Sequence, residues 1–209
     1  MDNAMQLYFA ETLSPRKACA VARYLDADVQ FVHVDLGKGQ QRSPDYLALN
    51  PNGKVPTLVD GETVVWEANA IMCHLADRAG SALWPKDARQ IDVIRWLSWD
   101  ADHFTRHGGM LYFEHLIKPA FGLGPPDAAV VDEATRDFRR AARVLDAHLA
   151  NRAFLLGDDL TIADFAVAAS LPYARDARLP LDDSAHIRRW HDRLEQMDAW
   201  REPFPRRAA

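Results

Sequence analysis

A hydroxyl side chain and a proline mark the expected start of the first helix. Ser14-Pro15 follows a short β-prone run at residues 6–9 and is typical of a helix start, with the hydroxyl at the N-cap and proline at the first helical position. The N-terminus of a helix and a hydroxyl donor both stabilise a bound anion. Serine is too weak a base to remove a proton, so we expect Ser14 to act as a hydrogen-bond donor.

An aromatic and imidazole stripe runs along a long helix predicted at residues 91–118. Trp96, Trp99, His103 and His107 recur at i, i+3, i+7 and i+11, which places them on one face. Asp100, His103 and His107 also have the spacing of metal ligands on a helix. No cysteine or acidic cluster supports such a site, so we predict no metal and expect the stripe to face a cleft.

Charge and cysteine content exclude several functions. The 209 residues carry 25 basic and 30 acidic side chains, a formal charge of −5, and a negative chain repels nucleic acid. The two cysteines, Cys19 and Cys73, form no C-x-x-C pair, which excludes a zinc ribbon and a thioredoxin-type dithiol. The start of the chain does not resemble a signal segment, and no apolar run approaches the ~20 residues of a membrane span. We therefore expect a cytoplasmic protein with no membrane partner.

Two halves of the chain with different secondary-structure signals must position these candidate side chains. In the first half, strand and helix signals alternate in the order β-α-β-α-β-β-α. The expected strands are 6–9, 29–35, 54–59 and 63–66, and the expected helices are 14–25, 45–49 and 67–78. The second half is almost wholly helical, with helices at 91–118, at 127–150, from Thr161 and from Ser184. The predicted fold class is α/β plus all-α, with domains at 1–83 and 91–209 and a linker at 84–90.

Four motifs in register resemble the soluble glutathione transferases over essentially the whole chain. Residues 50–58, Asn-Pro-Asn-Gly-Lys-Val-Pro-Thr-Leu, are similar to the family's turn into a cis-proline strand, and residues 67–76 to its acidic-small-x-Ala-Ile helix start. Residues 83–85, Leu-Trp-Pro, resemble the interdomain linker, and residues 157–164 resemble the capping motif of the helical domain. The resemblance implies a thioredoxin-like N-terminal domain, an all-helical C-terminal domain and a homodimer.

The resemblance also implies roles in binding glutathione, a tripeptide thiol. Ser14 falls where the family places its catalytic Ser, Cys or Tyr, and Thr12 is the rival for that role. A free thiol with a pKa of ~8.5 is only a few per cent ionised at neutral pH, so a donor to the thiolate favours reaction. A cis bond before Pro56 would present the Val55 backbone to the cysteinyl backbone of the ligand, although a trans bond is the commoner isomer at a strand start.

The charged ends of glutathione have separate expected partners. Glu67 would accept from the γ-glutamyl amine, and the N–H groups at the helix start formed with Ala68 would bind the γ-glutamyl carboxylate. The family often has serine in place of Ala68, so one donor is lost here. Arg42 and Lys54 are the expected cations for the glycyl carboxylate, and Gln41 stands where many relatives have His or Lys.

The second substrate is expected to contact the long helix. The candidate residues of this electrophile pocket are Trp99, His103, Arg106, His107 and Tyr112. Thr161 and Asp164 form an expected capping box, which serves folding rather than catalysis.

We therefore predict a glutathione S-transferase that uses glutathione as its cosubstrate, holds no bound cofactor, and attacks a small, rather apolar electrophile. Glutathione-dependent isomerisation or dehalogenation is one alternative. The other is a non-catalytic binding or scaffold protein, which Ala68 and Gln41 favour.

Overall fold

The computed structural model describes residues 4–205. Two compact units are present: the first runs up to Trp84 and includes the segment from Met197 onward, and the second is Pro85–Gln196. Among the described residues, none of the helices combines the length and the apolar composition that crossing a membrane requires.

A mixed four-stranded sheet organises the first unit. Its elements are β1 (Met5–Phe9), α1 (Leu13–Tyr24), β2 (Val29–His33), α2 (Pro44–Leu49), β3 (Thr57–Asp60), β4 (Thr63–Trp66) and α3 (Ala68–Arg78). The strand order is β2-β1-β3-β4, with β1 and β2 parallel and the other two pairs antiparallel. Leu7 and Leu58 lie opposite each other in the two central strands and are fully buried. The predicted order of elements is thereby confirmed, including the hairpin of β3 and β4.

The C-terminal segment packs onto this first unit. Arg16 donates from Nη2 to the Trp200 carbonyl at 2.5 Å, and its guanidinium lies 4.9 Å from the centre of the Trp200 ring. Trp200 is fully buried, and Phe204 stacks on Phe9 at 5.9 Å. The sequence placed residues 91–209 in the helical domain, whereas the segment from Met197 clusters with the first unit. Periodicity could not reveal this, because the contacts join residues 184 positions apart.

The second unit begins with a long helical run that is α-helical in three stretches. These are α4 (Arg89–Trp99), α5 (Thr105–Tyr112) and α6 (Lys118–Ala120), and π-helical turns at Asp100–Phe104 and Phe113–Ile117 join them. Asp100 is fully buried in the first π segment, where Oδ1 accepts from the Thr105 N–H at 3.2 Å and from its hydroxyl at 2.6 Å. The sequence predicted one helix here but not its π segments, each of which adds residues to a turn and rotates the later side chains.

The next three helices lie where the sequence predicts them. They are α7 (Ala128–His148), α8 (Ile162–Val167) and α9 (Ala185–Leu194). A further short helix that was not predicted, α10 (Asp198–Arg201), lies in the C-terminal segment. Asp127 caps α7 by accepting from two first-turn N–H groups at 2.9 and 3.3 Å. The predicted capping box at Thr161 is present, and Asp164 at its third helical position is fully buried.

Candidate functional site

Three chain segments meet at one end of the sheet in the first unit. Thr57, the first residue of β3, pairs with Tyr8 of β1 and with Trp66 of β4. The carboxyl ends of β1 and β4 therefore lie beside the start of β3. Helix α1 begins shortly after β1 ends, Pro56 immediately precedes β3, and α3 begins shortly after β4 ends. The candidate residues on these segments are thus brought to a common edge by strand register alone.

The start of α1 differs from the sequence prediction. The N-cap is Thr12, with extended backbone angles of φ −134° and ψ 174°, and the helix begins at Leu13. Ser14 is therefore the second helical residue and not the cap. The chain turns just before the helix, where the Thr12 N–H donates to the Ala10 carbonyl at 2.8 Å, and this turn sets the earlier start. Pro15 falls at the third helical position, where its missing N–H would have no intrahelical partner anyway.

Both candidate hydroxyls remain available at this helix end. Ser14 is exposed and Thr12 is half-buried, and the Thr12 side chain makes no capping hydrogen bond. The Arg16 N–H is taken by the Thr12 carbonyl at 3.1 Å, which leaves the N–H groups of Leu13 and Ser14 without an intrahelical partner. The site therefore offers hydroxyl and backbone donors at the positive end of a helix, which suits an anion.

The two thiols of the chain do not suit nucleophilic chemistry. Cys19 is fully buried on α1, and burial raises the pKa of its thiol far above the usual range. Cys73 lies on α3, and burial raises its pKa to about 11. Thiols in such surroundings stay protonated, and a protonated thiol is a poor nucleophile.

Backbone groups are left open beside the cis proline. The Val55–Pro56 peptide bond is cis, as the resemblance implied. Val55 is half-buried, and within residues 4–205 neither its N–H nor its carbonyl forms a hydrogen bond. This open pair is suited to an extended peptide that adds to the edge as a short strand.

The start of α3 contains a strained residue. Glu67 is exposed and adopts φ 72° and ψ 118°, a left-handed conformation that costs a non-glycine residue about 1–3 kcal/mol. Its side chain makes no capping hydrogen bond to the helix. Ala68 is buried at the first helical position, and the Asn69 side-chain oxygen is buried without a partner in the described chain. Strain of this kind often accompanies a functional role, and here it places a free carboxylate beside unpaired first-turn N–H groups.

Two exposed cations lie on loops that touch each other. Arg42 ends a short 3-10 helix, Gln40–Arg42, and Lys54 follows the turn at Gly53. A Cβ built on Gly53 would lie 3.2 Å from the Gln41 carbonyl oxygen, so the two loops are in close contact. The predicted glycyl-carboxylate partners are therefore on adjacent segments of the first unit.

A cleft in the second unit gathers part of the predicted electrophile pocket. It has a volume of about 280 Å³ and is lined by Trp99, His103, His107, Asp137, Arg140, Ala141 and Val144. Arg106 and Tyr112 do not line it. The Arg106 guanidinium is exposed 3.7 Å from Asp102, and Tyr112 is buried against the ring of Tyr173 at 4.9 Å.

The cleft has both apolar and basic walls. The Trp99 ring packs on Trp96 at 5.1 Å, and Arg140 is exposed on α7. Burial lowers the pKa of His107, whose Nδ1 is buried without a partner within the described range. Residues 4–205 contain no group of three or more His, Cys, Asp or Glu side chains that is able to hold a metal ion.

The sequence did not identify the polar residues beneath the cis-proline segment. Tyr46 and Asn50 are buried and both donate to the Lys54 carbonyl, at 2.7 and 2.8 Å. Asn50 opens the turn motif at residues 50–53, which was the available signal. Tyr46 lies in the short helix α2, and nothing in its spacing or neighbours distinguished it from a core residue.

The fold and the clustered site define a class of protein. A mixed four-stranded sheet with a cis proline before β3, followed along the chain by an all-helical unit, is a thioredoxin-like domain joined to a helical domain. Residues 5–77 match the family model for the N-terminal domain of glutathione S-transferase, and residues 104–198 match that for its C-terminal domain. The chain therefore belongs to the glutathione S-transferase family.

Similar proteins support this membership over the whole chain. Glutathione S-transferase 3 of Zea mays is 35% identical over 197 residues, which cover 90% of this chain and 88% of the maize protein. The disulfide-bond oxidoreductase YfcG of Escherichia coli K12 is 29% identical over 202 residues, with coverage of 93% and 92%. The predicted family, enzyme class and glutathione cosubstrate are confirmed.

Solved structures agree on the fold. The apo form of glutathione S-transferase III superposes with a TM-score of 0.85 at 31% identity, covering 99% of this chain and 100% of that one. A glutathione transferase family member from Pseudomonas fluorescens pf-5, solved with two glutathione bound, gives a TM-score of 0.87 at 21% identity and covers 97% and 93%. The predicted fold class, a thioredoxin-like domain followed by a helical one, is confirmed.

Proposed function

We propose that this enzyme ionises glutathione at the N-terminus of α1 and directs the thiolate at a small, rather apolar electrophile. The observation that carries the proposal is the convergence of three open segments at one sheet end. These are the hydroxyls and N–H groups at the start of α1, the unpaired Val55 backbone, and the strained start of α3. Together they match an extended tripeptide with a central thiol and an anionic end.

Stabilising the thiolate and holding it close to the electrophile supply the rate enhancement. At pH 7 a thiol with a pKa of ~8.5 is about 3% ionised. Lowering its pKa by about two units, as helix ends and nearby donors do elsewhere, raises that fraction to roughly 75%. The thiolate then attacks the electrophilic carbon, the S–C bond forms as the leaving group departs, and the proton goes to solvent.

Ser14 is proposed as the hydroxyl that donates to the thiolate, with Thr12 as its rival. Ser14 is exposed in the first helical turn, beside the unpaired N–H groups. Ser14→Ala is expected to lower kcat and raise the pKa of bound glutathione, while its affinity changes little, because one donor is a small part of the binding. Thr12→Val is the matched test of the rival, and a larger effect from it than from Ser14→Ala would reassign the role.

The remaining contacts of glutathione follow the order of the segments. Val55 would pair its backbone with the cysteinyl residue, and Glu67 would accept from the γ-glutamyl amine. The first-turn N–H groups at Ala68 would bind the γ-glutamyl carboxylate. Arg42 and Lys54 would bind the glycyl carboxylate, which their exposure and the contact between their loops support. Isothermal titration of Arg42→Ala and Lys54→Ala with glutathione measures each contribution.

We assign the electrophile to the cleft lined by Trp99, His103 and His107. Its volume of about 280 Å³ and the Trp99 ring suit a small aromatic substrate. Trp99→Ala is expected to raise the KM for the electrophile while leaving the Kd for glutathione unchanged. Equal changes in both constants would remove the cleft from the substrate site.

We also propose that the enzyme is a homodimer. Strand β4 is an edge strand, and Val64 and Trp66 on it are 39% and 43% exposed. On the helical unit, Ile91 and Ile94 are 69% and 44% exposed. Apolar side chains on an open edge and on helix faces are typical of buried subunit interfaces. Light scattering that returns the mass of one chain would contradict this.

The decisive experiment is a direct assay with the purified protein. It should bind glutathione-agarose and conjugate glutathione to 1-chloro-2,4-dinitrobenzene or another member of an electrophile panel that includes isomerase and dehalogenase substrates. Absence of both binding and turnover would leave only a scaffold role.

A second candidate reaction is glutathione-dependent disulfide reduction, because one relative over 93% of the chain is a disulfide-bond oxidoreductase. The protein's own thiols are unsuited, so two glutathione molecules must supply both electrons. One glutathione thiolate attacks the substrate disulfide, forms a mixed disulfide and releases the first substrate thiolate. The second attacks the glutathione sulfur of the mixed disulfide, forms oxidised glutathione and releases the other substrate thiolate. Bis(2-hydroxyethyl) disulfide tests this, and Cys73→Ala should leave its rate unchanged.

A further inference from the structure

A buried polar cluster lies beneath the segment that carries Val55. Its side chains are Tyr46 of α2, Asn50 and Thr57 of β3, with relative exposures of 5%, 2% and 0%. Tyr46 and Asn50 contact the carbonyl oxygen of Lys54, and Thr57 is hydrogen-bonded to both of them. We refer to these three side chains and this carbonyl as the Tyr46 network.

The protons of the Tyr46 network can be assigned from its distances. The Lys54 carbonyl has no proton, so it accepts from the Tyr46 hydroxyl at 2.7 Å and from Asn50 Nδ2 at 2.8 Å. Because the Tyr46 proton is committed there, Tyr46 Oη accepts from the Thr57 hydroxyl at 2.9 Å. The second Nδ2 proton of Asn50 goes to Thr57 Oγ1 at 3.1 Å. Every donor in the ring has an acceptor, which makes the arrangement rigid.

The amide of Asn50 is fixed from its other side as well. Its Oδ1 accepts from the Asn52 N–H at 3.1 Å and from Asn52 Nδ2 at 3.0 Å, and the backbone carbonyl of Asn50 accepts from the Gly53 N–H at 2.9 Å. The side-chain amide cannot flip without losing the two bonds that Oδ1 accepts. The turn at residues 50–53 therefore holds the network in one orientation.

This rigidity determines where the Val55 N–H points. The Lys54 carbonyl and the Val55 N–H belong to one planar trans peptide group, in which the two bonds point in opposite directions. Two donors hold the carbonyl toward the buried network. The Val55 N–H must then point away from it, and it is the donor found without a partner in the described part of the chain.

We propose that Tyr46 is a positioning residue that aims the Val55 N–H at the backbone of glutathione. The inference rests on the proposed function, because it takes the ligand backbone as the acceptor. Tyr46 contacts neither the thiol nor the electrophile in this scheme. Its loss should weaken binding through the backbone and leave the chemistry of the sulfur unchanged.

The test compares Tyr46→Phe with the intact enzyme and with Tyr24→Phe, the same change at an exposed position. Isothermal titration with S-methylglutathione, which has the same backbone and no thiol, should give a Kd about tenfold higher for Tyr46→Phe, as should glutathione. The pKa of bound glutathione, followed by thiolate absorbance, and kcat at saturating glutathione should match the intact enzyme. Thr57→Ser, which retains the hydroxyl, should bind normally.

A measurement on the intact enzyme keeps the test independent of variant folding. Amide hydrogen exchange at Val55 should slow when S-methylglutathione binds, because the N–H becomes hydrogen-bonded. If the intact enzyme binds neither ligand, the proposed function is wrong. The role given to Tyr46 is overturned, while the proposed function stands, if the intact enzyme binds both ligands and Val55 exchange is unchanged. It is also overturned if Tyr46→Phe binds as tightly as the intact enzyme, or if Tyr46→Phe changes the affinity, the pKa of bound glutathione and kcat all together.

Discussion

Asp164 accepts four hydrogen bonds inside the helical unit, and its removal should destabilise the protein strongly. The donors are the N–H of Leu155 at 2.9 Å, the N–H and hydroxyl of Thr161 at 2.9 and 3.2 Å, and Nε1 of Trp190 at 3.0 Å. Asp164 is fully buried, so water cannot replace its carboxylate as the acceptor for these four donors. Asp164→Ala leaves them facing apolar atoms.

The magnitude follows from two opposing effects. The Thr161 hydroxyl can rotate to another acceptor, so three donors stay unpaired, at about 2 kcal/mol each or about 6 kcal/mol in total. Burial raises the pKa of Asp164 from 3.8 to about 6, so keeping it ionised at pH 7 costs about 3 kcal/mol, which the alanine variant regains. The expected net loss is about 3 kcal/mol, or roughly 6–12 °C in the melting temperature of a chain of this size.

The raised pKa also fixes the direction of the pH dependence. The folded state holds the Asp164 proton up to about pH 6, whereas the unfolded chain releases it near 3.8. Asp164 therefore contributes more stability at low pH, and this part is lost as pH rises through 6. The cost of Asp164→Ala should be about 1.4 kcal/mol larger at pH 5 than at pH 7.5.

Guanidinium denaturation followed by circular dichroism, carried out at pH 5 and at pH 7.5, measures the loss in unfolding free energy and its dependence on pH. Asp158→Ala is the matched control, because Asp158 is exposed, and it should change the unfolding free energy by less than about 0.5 kcal/mol. Asp164→Asn keeps the shape and part of the acceptor capacity, and should fall between. If Asp164→Ala melted with the control, the four donors would not depend on this carboxylate and the reasoning would be refuted.

Three further predictions test other parts of the chain. Gly108→Ala places a Cβ 2.9 Å from Ser170 Oγ, so it should lower the free energy of unfolding by about 1–3 kcal/mol, and Ser170→Ala in the same chain should restore part of it; equal melting curves would contradict this. Glu67→Gly removes the backbone strain at φ 72° and should raise the unfolding free energy by about 1 kcal/mol while weakening glutathione binding. Glu67→Gln keeps the strain and should only weaken binding. Calorimetric titration with glutathione and thermal melting measure the two effects. Burial lowers the pKa of His148, so the contribution of His148 to stability is lost as pH falls below about 6.5. The unfolding free energy of the intact protein relative to His148→Gln should therefore decrease between about pH 7.5 and 5.5, and denaturation of both proteins at both pH values checks this.

Local sequence signals predicted the elements, and hydrogen bonds that leave no periodic pattern in the sequence explain the differences. Proline and hydroxyl residues located the start of α1 to within two residues, but the turn from Thr12 to Ala10 decided that Ser14 lies inside the helix. A period of 3.6 residues described the long helix, yet no such period encodes a π segment. In the first π segment, Asp100 Oδ1 accepts from the backbone N–H and the hydroxyl of Thr105.

The candidate site was predictable where the side chain itself carries the group that would bind the ligand. Glu67 and Ser14 carry groups that bind ligands, and a motif places them. Tyr46 acts through the carbonyl of Lys54, eight residues along the chain, so neither its residue type nor its spacing indicated a role in the site. Trp200 was missed in the same way, because its partner Arg16 lies at the other end of the chain.

The chemistry of the site follows from what the protein lacks as well as from what it supplies. Burial keeps both of its own thiols protonated, so the reactive sulfur must arrive with glutathione. In the proposed mechanism the protein contributes hydroxyl and N–H donors at the start of α1, which stabilise a thiolate regardless of what that thiolate attacks. Conjugation and disulfide reduction therefore require the same first step, and Ser14→Ala should slow both by the same factor. A variant that slowed only one of the two reactions would act on the second substrate, which is the effect expected of Trp99→Ala.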